Sequence, residues 1–478
     1  MELPQEFFDS YVGDCIGRCR AVEERSAAIA SSEFPSANPR KFAQLIGRIA
    51  GTLARELEKS HPRYAGDPSN VLNIIRFIDD FVQELGADLR YAEGAVTAKL
   101  PWSLTRPLED LIARYLPMRK VMLRPQWKHN YSIIIDDLGR LYRDELRNLI
   151  AQHELSRVFA DFPEGFHIVS FPSIERKNAL LHCDLAHEIG HLVAELFLES
   201  EKADYLIDFR ERIVQQTREE SRDKPLPPLW EQQEIIDRLD RAALIRRRGL
   251  EELISDIFAV RALGPAALLA LLGIAAGQSP DLTPDEKSAF YPPWRTRLRF
   301  ALQALEDGGL RPPKPPDSKF PFMADIQREL NNALTRLREI VDVESDRRSI
   351  DEDWLVRLAY ESISATMPGV RGFLDREYGP RFPSPDSLFD QAYRLVPRLW
   401  DGVPPNELGE GSDTRPAALE SILNAAWFYR VTFLKDPVAQ AAGAVRPDLR
   451  VLNRLTLKAA ELAYIQGRYR EWVEAAKK

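Results

Sequence analysis

The sequence predicts a mainly α-helical protein with one small β-sheet near its middle, flanked by N-terminal and C-terminal helical domains. Three observations predict this. Apolar residues recur at three- and four-residue spacing over most of the chain, the period of an amphipathic helix. Strand signals are confined to two short runs between residues 131 and 171. The 478 residues also exceed what one ordinary hydrophobic core accommodates, so several domains are expected.

The first 150 residues read as a helical domain. Residues 40–60, 69–86 and 138–159 each carry an apolar stripe at helical spacing. Cys15 and Cys19 lie one helical turn apart, and they read as small core residues rather than half of a metal site. The second segment spans residues 151–306. It opens with the clearest strand, Phe166 to Phe171, bounded by Pro163, Gly165 and Pro172; residues 131–135 are a second candidate. The strand at 166–171 is expected to be an edge on which an extended peptide pairs. Residues 262–276 are the most apolar stretch and read as a buried helix, too short to cross a bilayer. Residues 307–317 hold four prolines and two glycines and predict an extended spacer. The third segment, 318–478, is helical again. Pro- and Gly-rich loops are expected at 368–385 and 402–416, with a last helix from Val451 onward. Trp427, Phe428 and Tyr429 read as core of this segment.

Composition excludes several classes. Hydrophobic residues make up 44% and charged residues 29%, as in ordinary soluble globular proteins. The net charge of -8 disfavours general nucleic-acid binding, which needs a basic surface. Three cysteines are too few for a disulfide framework and point to a reducing compartment. The acidic start lacks a basic n-region and a long apolar run, so no signal peptide and no membrane span is expected. A cytoplasmic location follows.

Residues 187–191 read His-Glu-Ile-Gly-His. Two histidines at i and i+4 project from one helix face, about 6 Å apart along its axis. That spacing lets both imidazoles reach one tetrahedral zinc ion, while Glu188 acts on the water that the metal activates. Apolar Leu181, Leu185, Ile189, Leu192 and Val193 surround the motif, where an idle charge is costly. Residues 251–256 read Glu-Glu-Leu-Ile-Ser-Asp. Glu252 and Asp256 again share a helix face. One carboxylate can complete the metal's ligands and the other can fix the tautomer of a ligand imidazole. Glu251 competes with Glu252 for the ligand role, and Glu252 is preferred for its spacing to Asp256.

This combination of HEIGH with a downstream ELISD resembles the gluzincin zinc metallopeptidases. The resemblance implies a zincin-like core, with His187, His191 and Glu252 binding Zn2+, Glu188 as general base and Asp256 orienting His187. The segment Tyr291-Pro292-Pro293-Trp294-Arg295-Thr296-Arg297 is similar to a His-Pro-Pro segment in the prenyl-protease and HtpX-like branch. Arg297 falls where that branch has an arginine, and Tyr291 replaces its histidine. Tyr291 is thereby a candidate donor to the oxyanion. The soluble ImmA/IrrE-type peptidases are a rival likeness, with a shorter gap to the glutamate.

The expected activity is zinc-dependent hydrolysis of a peptide bond in a specific protein or peptide substrate, in an intracellular regulatory role. The alternative is a zinc-bearing scaffold of weak activity, with helical flanks that take a protein partner. His182 is expected to be packed away from the metal face, and His167 is a weaker candidate for the cleft. Arg246, Arg247 and Arg248 read as a solvated helix face.

Overall fold

In the computed structural model, residues 5–60, 68–100, 102–222, 227–277, 280, 291–314, 322–342, 354–409, 413–434 and 448–477 are described. They fall into two compact units, Met1–Arg176 and Lys177–Lys478.

The first unit begins with helices α1 (Gln5–Ala30), α2 (Asn38–Ser60), α3 (Pro68–Gly94) and α4 (Trp102–Tyr115). On α2, Phe42, Leu45, Ile46, Ile49 and Leu53 repeat at helical spacing and are all buried. Gly47 and Gly51 let α2 approach α1, because a Cβ at Gly51 would lie 2.3 Å from the Glu23 carboxylate. Cys15 and Cys19 are buried on α1. The segment 138–159 forms two helices, α5 (Leu138–Leu146) and α6 (Gln152–Val158), rather than the single helix that its periodicity predicts. The turn between them leaves both Leu146 and Ile150 buried. Asp137 caps α5 through the Gly139 amide at 3.0 Å and also accepts from the Gly165 amide at 2.9 Å.

The sheet corrects one expectation. Strand β3 (Phe166–Pro172) lies between β1 (Lys120–Gln126), which is parallel to it, and β2 (Ser132–Ile134), which is antiparallel. It is the central strand and is buried along its whole length, so it is not a free edge for a peptide. Its apolar run is the signature of a strand covered on both faces. β1, whose apolar core is only Val121, Met122 and Leu123, escaped the sequence reading. His167 on β3 is fully buried. Arg119 Nη1 donates to its Nε2 at 3.2 Å, so it faces no cleft within this unit.

The second unit holds α7 (Leu185–Ser200), α8 (Tyr205–Glu220), α9 (Pro228–Leu263), α10 (Pro265–Ala275), α11 (Trp294–Asp307) and α12 (Met323–Asp342). It continues with α13 (Trp354–Tyr378), α14 (Pro385–Trp400), the small hairpin β4 (Glu407–Leu408) and β5 (Arg415–Pro416), α15 (Leu419–Phe433) and α16 (Leu449–Ala476). The 36-residue α9 is its axis, packing against α7, α8, α11 and α13. It ends at Gly264, whose φ of 68° suits glycine. Buried Asn424 fastens the corner there: its amide donates to the Leu263 carbonyl at 2.6 Å, and its oxygen accepts from the Ala266 amide at 3.0 Å. Trp427, Phe428 and Tyr429 are buried on the same helix as Asn424.

By contacts, residues 151–176 fall in the first unit and residues 307–314 in the second. Three further expectations change here. Leu310 in that stretch is buried and the Pro313 carbonyl accepts from the Tyr393 hydroxyl at 3.1 Å, so it is packed rather than a free spacer; residues 315–317 lie outside the described residues. Pro368 lies inside α13, so 368–378 is helix, not loop. Arg246 is buried, with Glu201 2.8 Å from Nη1 and the Tyr205 ring 3.7 Å from its guanidinium carbon. Only Arg247 and Arg248 keep half-exposed side chains. Among the described residues, no helix is long and apolar enough to cross a membrane.

Candidate metal centre

The site forms where α7 crosses α9. Gly190, inside the HEIGH motif, permits the crossing. A Cβ there would lie 2.6 Å from the Ser255 Cα and 2.9 Å from its carbonyl oxygen, both backbone atoms. The two helices therefore touch backbone to backbone between the two carriers of functional groups. His187 and His191 face Glu252 and Asp256 across this contact.

Five of the sequence-predicted residues converge directly: His187, His191, Glu252, Asp256 and Arg297. His187 Nε2 is 3.5 Å from Glu252 Oε2, and His191 Nε2 is 3.8 Å from Glu252 Oε1. The two imidazoles stand at 85° with centroids 4.9 Å apart. Donor atoms of His187, His191 and Glu252 all lie within 4.8 Å of one another, so the three can hold a metal ion. A tetrahedral ion with ligand bonds of about 2.0–2.2 Å needs neighbouring donor atoms roughly 3.4 Å apart, close to both separations. The competition between Glu251 and Glu252 has a structural counterpart: Glu251 is bound by Arg247 at 3.1 Å and Arg248 at 2.7 Å, away from the histidines.

Asp256 Oδ1 accepts from His187 Nδ1 at 2.8 Å. That bond places the imidazole proton on Nδ1 and leaves Nε2 free as a ligand. Arg297 on α11 closes the arrangement. Its Nε and Nη2 each lie 2.8 Å from a different oxygen of Asp256, a bidentate pair. Its Nη1 lies 3.0 Å from Glu252 Oε2, which leaves Oε1 as the less engaged ligand oxygen. The Trp294 ring lies 4.8 Å from the guanidinium.

Burial and pairing set the protonation. Burial alone would depress His187, but the carboxylates of Asp256 and Glu252 override it and hold the imidazole well above its usual range. His191 has no such close partner for its charge, and burial lowers it to about 4. Burial would raise Glu252 and Asp256, yet Arg297 and His187 hold both below the usual carboxylate range. Glu188 is buried beside them and unpaired by Arg297. Desolvation pushes its carboxyl up to about 8, a value suited to moving protons near neutrality.

Tyr291 lies half-buried, outside regular structure, just ahead of α11. Burial and the nearby charges of Glu252 and Glu188 raise its phenol, which places it in the electrostatic neighbourhood of the site. Residues 281–290, which precede it, are outside the described residues.

Three features escaped the sequence reading. Asp184, in the turn before α7, is raised by burial and by Asp256 and Glu252. Gly190 was legible in principle, since a glycine inside a helix marks a close approach. Tyr360 on α13 has a buried hydroxyl with no hydrogen-bond partner among the described residues, and burial and the charge of Glu252 raise it. α13 runs parallel to α9: Arg238 lies over the Trp354 ring, Arg246 binds Ser362 and Thr366, and Arg261 pairs with Asp375. Tyr360 packs against the apolar cluster that holds Ala242 and Ile245 of α9, and no sequence spacing announces it. His182, as expected, is buried in the turn preceding α7.

No protein-family profile, curated protein or solved structure matches the chain.

Proposed function

We propose that the chain is a zinc-dependent peptidase acting on a protein or peptide substrate. The observation that carries this reading is the placement of three ligand atoms, from His187, His191 and Glu252, at separations fit for one tetrahedral ion, with Glu188 beside them. The set of two imidazoles and one carboxylate suits zinc and leaves one position open. A zinc ion held there supplies Lewis acidity and an activated water at neutral pH.

The chain's own residues have distinct parts. Asp256 keeps His187 in the tautomer that presents Nε2. Arg297 holds Asp256 and Glu252 in register and offsets part of their repulsion. Glu188 takes a proton from the attacking water and passes it to the leaving amine. Tyr291 supplies a phenolic O–H group for the charge that develops on the carbonyl oxygen. Burial of the ligands excludes bulk water and strengthens each of these interactions.

The test is metal content of the purified chain by mass spectrometry, beside His191→Ala and Glu188→Gln. We expect about one zinc per chain in wild type and in Glu188→Gln, and loss in His191→Ala. Protein N-termini compared between cells carrying wild type and Glu188→Gln then reveal the substrate. Wild-type protein that takes up no zinc when supplied overturns the metal reading. Identical N-termini leave zinc without hydrolysis, which is the second reading: a scaffold of weak activity. Arg297 favours that second reading, because its contact with Glu252 at 3.0 Å draws charge from a ligand carboxylate.

A further inference from the structure

The first unit contains a cavity of about 700 Å³ between α1, α2 and the end of α6, remote in sequence from every residue of the metal centre. Three arginines line it: Arg48 and Arg55 from α2, and Arg157 from α6. Two buried polar atoms in its walls have no hydrogen-bond partner among the described residues, Ser26 Oγ and Arg48 Nε. Ser26 is 1% exposed. An unpartnered buried polar atom is costly, so a wall with two of them is built for something that fills it.

The chemistry of the orphans defines the missing partner. An arginine Nε–H is a donor and never an acceptor. The serine hydroxyl also donates. What both lack is an acceptor oxygen. The remaining charges point the same way. Arg55 spends one donor on Thr52 Oγ1 at 2.9 Å and has no carboxylate partner among the described residues. Among the described residues, Arg157 is held only by Glu154 at 3.5 Å, on the exposed rim. Arg48 Nη1 meets Asp161 at 3.3 Å, but the Asp161 side chain is 83% exposed and is free to turn away. Glu23 is the one carboxylate deeper in the wall. Arg20 neutralises it at 2.8 Å, and it is seated over Gly51, where no Cβ intervenes.

We propose that this cavity binds a small anion carrying a phosphate or carboxylate group, with Arg48 Nε and Ser26 Oγ donating from the walls and Arg55 and Arg157 supplying charge. The volume exceeds what a bare phosphate fills and suits a ligand of metabolite size. Guanidinium groups match such oxyanions through paired N–H donors. The proposal stands whether or not the other unit binds zinc.

The test uses the full chain and two probes, inorganic phosphate and citrate, followed by calorimetric titration at fixed ionic strength set with sodium chloride. We expect saturable binding of one probe or both, and which one separates a phosphate ligand from a carboxylate ligand. Arg55→Gln with Arg157→Gln removes two partly or fully exposed charges, and we expect it to weaken binding at least tenfold at unchanged helicity. Ser26→Ala, which removes one wall donor, gives a smaller loss. Arg376→Gln, at an exposed position of the other unit, leaves binding as in wild type. No saturable binding of either probe, or equal binding by the double variant and wild type, overturns the proposal.

Discussion

Gly190→Ala separates the contribution of helix approach from that of the ligands themselves. The added methyl would sit 2.6 Å from the Ser255 Cα and 3.0 Å from its Cβ, well inside ordinary van der Waals contact near 3.4 Å. The first obstacle is backbone, so no rotamer change relieves it, and α7 and α9 must part by a large fraction of an ångström. Overpacking of this kind costs about 1–3 kcal/mol, and the better helix propensity of alanine returns about 1 kcal/mol. The net loss of stability is therefore modest, ~1 kcal/mol. The effect on metal binding is larger. His187 and His191 ride on α7 while Glu252 rides on α9, and metal–ligand distances tolerate only about 0.2 Å. We expect zinc affinity to fall at least tenfold, measured by competition with a chromophoric chelator, while urea unfolding shows the small stability loss. Gly369→Ala is the control, since nothing lies within 4 Å of its added Cβ, and it leaves zinc affinity unchanged. A Gly190→Ala protein with wild-type zinc affinity would refute the idea that this backbone contact sets the ligand geometry.

Three other outcomes are expected. Asp256→Asn keeps one acceptor oxygen but removes the negative charge and one of the two oxygens that Arg297 binds, setting an NH2 against a guanidinium donor; zinc affinity should drop by about 10–100-fold and metal-free stability by roughly 3–5 kcal/mol, read by chelator competition and urea unfolding. Arg246→Lys cannot reproduce the paired contacts to Glu201 together with those to Ser362 and Thr366, so it should destabilise nearly as much as Arg246→Ala; full retention of stability by the lysine variant would show that charge alone suffices. His167 is buried, and burial, with Arg119 beside it, lowers its pKa to about 4 from an unfolded value near 6.5. The unfolded chain binds the extra proton first, so its contribution is complete above pH 6.5 and is lost as pH falls toward 4, about 3 kcal/mol in all. Urea midpoints at pH 7 and pH 5 should differ in wild type and differ less in His167→Leu; equal pH dependence in both would assign the effect to other groups.

The helical character and the site's spacing were legible because both are local. Periodicity at 3.6 residues places Phe42, Leu45, Ile46 and Ile49 on one face without knowledge of the neighbour, and the same geometry places His187 with His191 and Glu252 with Asp256. The central strand 166–172 was equally visible as an apolar run with turn residues at its start. What the run could not reveal was its neighbours. β1 and β2 take both of its edges, and pairing is a non-local fact that strand composition does not encode. Arg246 read as solvated because three consecutive arginines usually are, but a helix turns 100° per residue, so the run points in three directions and only one of them meets Glu201 and Tyr205. The proline-rich stretch at 307–314 and the proline in α13 mislead for a related reason: proline restricts its own backbone, while packing decides whether the segment is free.

The sequence by itself determined which residue types could meet a metal and on which helix faces they lie. Tertiary structure alone decided that the two faces oppose each other, that Glu251 turns to Arg247 and Arg248 while Glu252 turns to the histidines, and that Arg297 reaches Asp256 and Glu252 from another helix. The physical reason is that facing is set by intervals of three or four residues within one helix, whereas convergence is set by how closely two backbones can approach, here at Gly190 against Ser255.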